Sequence, residues 1–137
     1  VQGGVVDEGE TVRLPTHAVR FSAAQQAQVD ALLARCQAQP WATPAVKECR
    51  AVLGDAVYEA LLRQRQLVQV NAEVVLLGRT YDEAVQRVRD LIMQHGSITA
   101  AQVRDAFGTT RKYALGLLEH LDASGVTRRV GDARVLK

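Results

Sequence analysis

The residues of this chain best suited to chemistry are five cations close to its end. Arg111 and Lys112 follow two threonines and open a helical pattern, while Arg128, Arg129 and Arg134 flank a Gly131-Asp132 turn. Guanidinium and ammonium groups beside the free N–H groups of a helix start suit phosphate, since the donors and the positive dipole end attract the same anion. Tyr113, next in the helix, could stack on a base or pack in the core. Asp132 is either a turn former beside Gly131 or an acceptor for a base edge at the tip of a hairpin. Alternation along a strand sends Arg128 and Arg129 to opposite faces, so both meet one ligand only if it straddles the hairpin or the strand twists. Exposed arginines also serve as solubilising charges or as blocks to edge pairing.

Nothing in the sequence assembles a catalytic centre. It contains no glycine-rich phosphate loop, no nucleophile motif and no paired metal ligands. His17, His95 and His120 are isolated along the chain, and Cys36 and Cys49 lack histidines at a ligand spacing, so buried reduced thiols are expected rather than zinc. We therefore expect no enzyme activity, no metal and no cofactor. The 17 basic and 15 acidic residues nearly cancel, but their distribution is uneven. Residues 1–95 hold ten Lys and Arg against eleven Asp and Glu, and residues 96–137 hold seven against four. The longest apolar run is 74–77, too short for a membrane span, and the start lacks a signal-peptide pattern, so a cytoplasmic protein is expected.

The elements that must position these cations follow from a repeat. Hairpin patterns occur at 5–14, at 67–77 around Asn71-Ala72, and at 126–136 around Gly131-Asp132. The last two align at an offset of 60, which points to tandem units. At that offset Arg128, Arg129 and Arg134 fall on Val68, Gln69 and Val74, so the fold itself does not demand the cations. Three helix signals precede each of these hairpins. Ser22 to Gln25 is a capping box, Thr43-Pro44 starts a second helix and Asp55 caps a third. In the second copy Thr80 to Glu83 and Thr99 to Gln102 are capping boxes, and Thr109 or Thr110 caps the helix that carries Arg111. Ser97-Ile98 is available as a short third strand, and Trp41, at the matching place in the first copy, is expected to pack between units. Asp122 is expected to be no more than a helix-end charge.

Three helices followed by a hairpin is the order of the winged helix. The expected fold is therefore mainly α with small β-hairpins (α+β), as tandem winged-helix domains. Residues 1–14 would be the remnant hairpin of a preceding unit, 15–21 a linker, 22–77 the first complete domain and 78–137 the second, which carries the cationic surface.

The block 110–115, with 118–122 and 125–136, closely resembles the C-terminal winged-helix repeat of the bacterial selenocysteine-specific elongation factors, SelB. That resemblance implies an RNA-binding arm of a GTP-binding translation factor, which grips an mRNA hairpin beside a UGA codon. It makes Arg111, Lys112, Tyr113, Arg128, Arg129, Asp132 and Arg134 the RNA-binding candidates. In such a factor GTP, selenocysteinyl-tRNA and the ribosome are partners of the whole protein, and this stretch, expected to be monomeric, would neither bind nor hydrolyse GTP. Competing expectations are a winged-helix DNA-binding transcription regulator, because fold does not dictate function, and a protein-interaction module.

Overall fold

A computed structural model describes residues 21–137; the expected hairpin at 5–14 and nearly all of the linker lie outside the described residues. The element order is α1 (Ala23–Ala38), α2 (Val46–Leu53), α3 (Asp55–Arg63), β1 (Leu67–Gln69), β2 (Val75–Leu77), then α4 (Gly78–His95), β3 (Ile98–Thr99), α5 (Ala100–Phe107), α6 (Arg111–Ala123), β4 (Thr127–Val130) and β5 (Ala133–Leu136). This is the α+β winged-helix arrangement, occurring twice. In the first unit the hairpin β1-β2 stands alone, whereas in the second β3 joins β5 to give the order β3-β5-β4.

Each unit has its own core. Val29 and Leu32 of α1, Cys49 and Leu53 of α2, Val57, Tyr58 and Leu61 of α3, and Leu67 and Val75 of the hairpin are packed together in the first. In the second, Val88 and Ile92 of α4, Ile98, Val103 of α5, and Leu117, Leu118 and Leu121 of α6 are buried together. Apolar residues three and four apart place these side chains on one face of each helix. The cysteines are free and buried.

The capping boxes at Ser22 and Thr99 form with both reciprocal hydrogen bonds. Three other expected helix starts are corrected. Helix α2 begins at Val46, and the Thr43 hydroxyl instead donates to the Val75 carbonyl, tying the loop to the hairpin. Asp55 is the first residue of α3 rather than its cap, and it pairs with Arg50. Helix α4 begins at Gly78, directly after β2, so that Thr80 is buried inside the helix. Thr110 stands at the N-cap of α6 as expected but makes no side-chain capping hydrogen bond, and the Thr109 hydroxyl donates to the carbonyl of Trp41. In three of these cases a tertiary partner or chain continuity replaced the local cap.

The two units are in contact. Trp41 stacks on Phe107 with ring centroids 5.0 Å apart and an interplanar angle of 6°. Val70, Val74 and Leu76 of the first hairpin form a buried cluster against which Trp41, Tyr81 and Tyr113 pack. Gly116 lies in the middle of α6, where glycine weakens a helix. A Cβ there would stand 2.8 Å from Asn71 Nδ2, so its absence lets the first hairpin's turn approach the helix.

Candidate nucleic-acid interface

The hairpins of the two units differ by one residue in register. Leu67 faces Leu77 and Gln69 faces Val75, whereas Thr127 faces Leu136 and Arg129 faces Arg134. A uniform offset of 60 holds from the end of the last helix into the first strand, where Gln66 N bonds Leu61 O as Val126 N bonds Leu121 O. Across the turn the offset falls to 59, so the structural counterpart of Arg134 is Val75 rather than Val74. The helices also differ: α6 has 13 residues and α3 has 9. Because their ends coincide at the offset of 60, the extra turn is the first of α6, and it carries Arg111, Lys112 and Tyr113.

Strand pairing settles which wing arginine faces the helices. Directly paired residues share a face, so Thr127, Arg129, Arg134, Leu136 and Ile98 lie together, and Thr127, Ile98 and Arg134 are buried. That is the face turned to the helical core. Arg128, Val130, Ala133 and Val135 lie on the other, where Val130 is 51% exposed.

A cleft of about 370 Å³ opens between the start of α5, the start of α6 and the wing, lined by Thr99, Ala100, Ala101, Arg111, Leu115, Arg129, Asp132 and Arg134. Arg111 and Asp132 are exposed at its rim. Arg129 is braced by its own hairpin, with Nε donating to the Gly131 carbonyl at 2.9 Å. Gly131 adopts φ 62°, a left-handed turn conformation that glycine takes without strain. The cleft thus joins two exposed guanidinium groups, a carboxylate and an apolar wall from Leu115 beside the capped start of α5.

The remaining candidates sit elsewhere. Lys112 Nζ is 3.1 Å from Glu73 of the first hairpin, and the Tyr113 hydroxyl donates to the Thr43 carbonyl at 3.0 Å. Both side chains are therefore directed to the first unit. Arg128 is exposed on the outer face of the wing. Arg134 is only 2% exposed and its Nε donates to Asp122 Oδ2 at 3.1 Å, so it forms the floor of the cleft and not an open contact. Asp122, expected to be a helix-end charge, also accepts the Thr127 hydroxyl at 2.6 Å. Sequence reasoning missed Thr99, Ala100, Ala101 and Leu115, although the capping box at Thr99 marked where α5 opens.

Among the described residues no group of His, Cys, Asp and Glu is arranged to hold a metal ion, and no helix is long and apolar enough to cross a membrane.

In sequence and in fold the chain is similar to proteins of one kind. Residues 90–136 match the family described as elongation factor SelB, winged helix. The selenocysteine-specific elongation factor of Desulfomicrobium baculatum is 27% identical over 141 residues, covering 98% of this chain and 22% of that protein. Its counterpart from Escherichia coli K12 is 31% identical over 132 residues, covering 92% and 21%. The chain thus spans about a fifth of the length of these relatives. The structure of the mRNA-binding domain of E. coli SelB in complex with SECIS RNA superposes with a TM-score of 0.67 at 28% identity, covering 85% of this chain and 99% of that one. A bacterial selenocysteine-specific elongation factor shares the fold, with a TM-score of 0.65 at 18% identity over 85% of this chain and 18% of its own. The resemblance to the C-terminal winged-helix region of SelB, expected from the sequence, is borne out.

Proposed function

We propose that this chain is the mRNA-gripping arm of a selenocysteine-specific elongation factor, binding a SECIS-type stem-loop through its second unit and so recruiting the factor beside a UGA codon. The observation that carries this reading is the cleft shared by Arg111, Arg129 and Asp132, in a chain that superposes on the mRNA-binding domain of E. coli SelB. GTP, selenocysteinyl-tRNA and the ribosome are then partners of the whole factor, and the arm contributes binding without catalysis.

In this reading residues 22–77 and 78–137 are two winged-helix domains, the first setting the reach of the second. A-form RNA hides its base edges in a deep narrow groove, so a helix cannot read the stem as it reads duplex DNA. Arg111 and Arg129 instead hold phosphates on either side of the hairpin tip, and a splayed base occupies the cleft between them with Asp132 at its edge. Leu115 offers that base an apolar wall. Arg128 meets backbone only where the RNA passes over the outer wing face, and Lys112 and Tyr113 act mainly by holding α6 to the first unit.

The test compares an RNA hairpin with a random loop, enriched by selection against the chain, with duplex DNA of equal length at the same salt. Tighter binding of the enriched hairpin is expected. Preference for the duplex would overturn the proposal in favour of a DNA-binding regulator, and no binding to either would favour a protein-interaction module.

A further inference from the structure

Asp122 occupies the last turn of α6, where the helix dipole disfavours a carboxylate. A residue that breaks a local rule is held there by something non-local. Here it is a network: Asp122 accepts the Thr127 hydroxyl at 2.6 Å and the Arg134 Nε at 3.1 Å, joining the end of α6 to the first residue of β4 and the second of β5. Thr127 is 1% exposed, the Arg134 side chain 3% and that of Asp122 24%.

The first unit shows that the fold does not need this network. At the structural offsets of 60 before the turn and 59 after it, Asp122, Thr127 and Arg134 correspond to Leu62, Leu67 and Val75. Leu67 and Val75 are buried in the first core, and Leu62 packs against it. An apolar triad therefore closes the same helix-hairpin corner in the same chain. Replacing a buried ion pair by well-packed apolar residues is often neutral or stabilising, so stability alone does not account for the polar version. What distinguishes the second corner is its neighbour. Arg134 pairs directly across the strands with Arg129, and both line the cleft with Arg111.

We propose that Asp122 is a positioning residue for RNA recognition: through Arg134 and Thr127 it fixes the wing at the angle that brings Arg129 and Arg111 to one cleft. The inference rests on the RNA-binding reading above. It is separable from simple charge, because the two ideas predict opposite signs. Asp122→Asn removes a negative charge beside a polyanion site, and electrostatics alone would tighten all RNA binding. Positioning instead predicts weaker binding of the selected hairpin by roughly tenfold, the scale of a lost hydrogen bond to a charged group, with polyuridine binding unchanged or tighter.

The experiment uses the intact chain and the hairpin enriched by the wild type, with folding of each variant checked by circular dichroism. A second variant, Asp122→Leu with Thr127→Leu and Arg134→Val, transplants the first unit's corner. It should melt no lower than the wild type yet lose hairpin affinity by roughly tenfold or more. Undiminished hairpin binding by either folded variant would overturn the proposal while leaving the RNA-binding reading intact. Failure of the wild type to enrich any hairpin would overturn both.

Discussion

Arg111 and Arg129 are two cations brought to one cleft from elements whose first residues are separated by more than a dozen positions in the chain, and their value as a pair is geometric. Removing either as alanine should weaken hairpin binding and lower the slope of log affinity against log salt by about 0.7 to 0.9 per lost phosphate contact, measured by salt titration. Arg128→Ala, on the opposite sheet face, should change the slope less, and equal slopes for the Arg128 and Arg129 variants would contradict the face assignment. Lys112→Ala should also have a reduced effect, because its ammonium is already engaged by Glu73. Two buried groups of the first core give the chain an alkaline limit. Burial, reinforced by Cys36 and Glu48, pushes the Cys49 thiol up from 9.0 to about 11, and burial with the neighbouring Cys49 pushes the Tyr58 phenol up from 10.0 to about 12. Both are held neutral by the fold, so the unfolded chain releases these protons first as pH rises. Their stability contribution is complete below pH 9 and is lost as pH climbs through about 11 to 12. Urea unfolding across that window should show falling stability, and Tyr58→Phe should flatten the upper part of the fall.

At the scale of elements, the register difference between the hairpins and the extra first turn of α6 separate the two units. The added turn carries Arg111, Lys112 and Tyr113, and two of these three are spent on the neighbouring unit. Helix α6 and the first hairpin are thereby held together, and Trp41 stacks on Phe107. Trp41 is the only tryptophan, so its fluorescence reports on that contact directly. Phe107→Ala should red-shift the emission and cost about 2 kcal/mol, less than a fully buried phenylalanine because both rings are only partly buried. An unshifted spectrum with unchanged stability would show that the stack does not join the units. The capping box at Thr99 was legible because its two hydrogen bonds lie within four residues. The start of α2 was not, because the Thr43 hydroxyl is drawn to Val75, 32 positions away.

For the whole molecule, the contact between units predicts one cooperative unfolding transition, with calorimetric and van't Hoff enthalpies in agreement. Two resolved transitions would show that the docked arrangement contributes little stability. Much of this architecture is legible without coordinates, since apolar spacing, caps and turn glycines are local and depend on the periods of helix and strand. The sequence by itself determined the repeat, the order of three helices and a hairpin, and the excess of positive charge near the end, along with the resemblance to the SelB arm. Only the tertiary structure decided the use of each cation. Burial and pairing depend on residues remote in the chain, so it took the folded corner to sink Arg134 beneath the cleft on Asp122. Strand pairing turned Arg129 inward and Arg128 outward. Docking of the first hairpin drew Lys112 and Tyr113 away from the cleft, leaving Arg111 and Arg129 as the exposed pair. Charge and pattern are properties of the chain, but which charges converge is set by packing, and packing is not local.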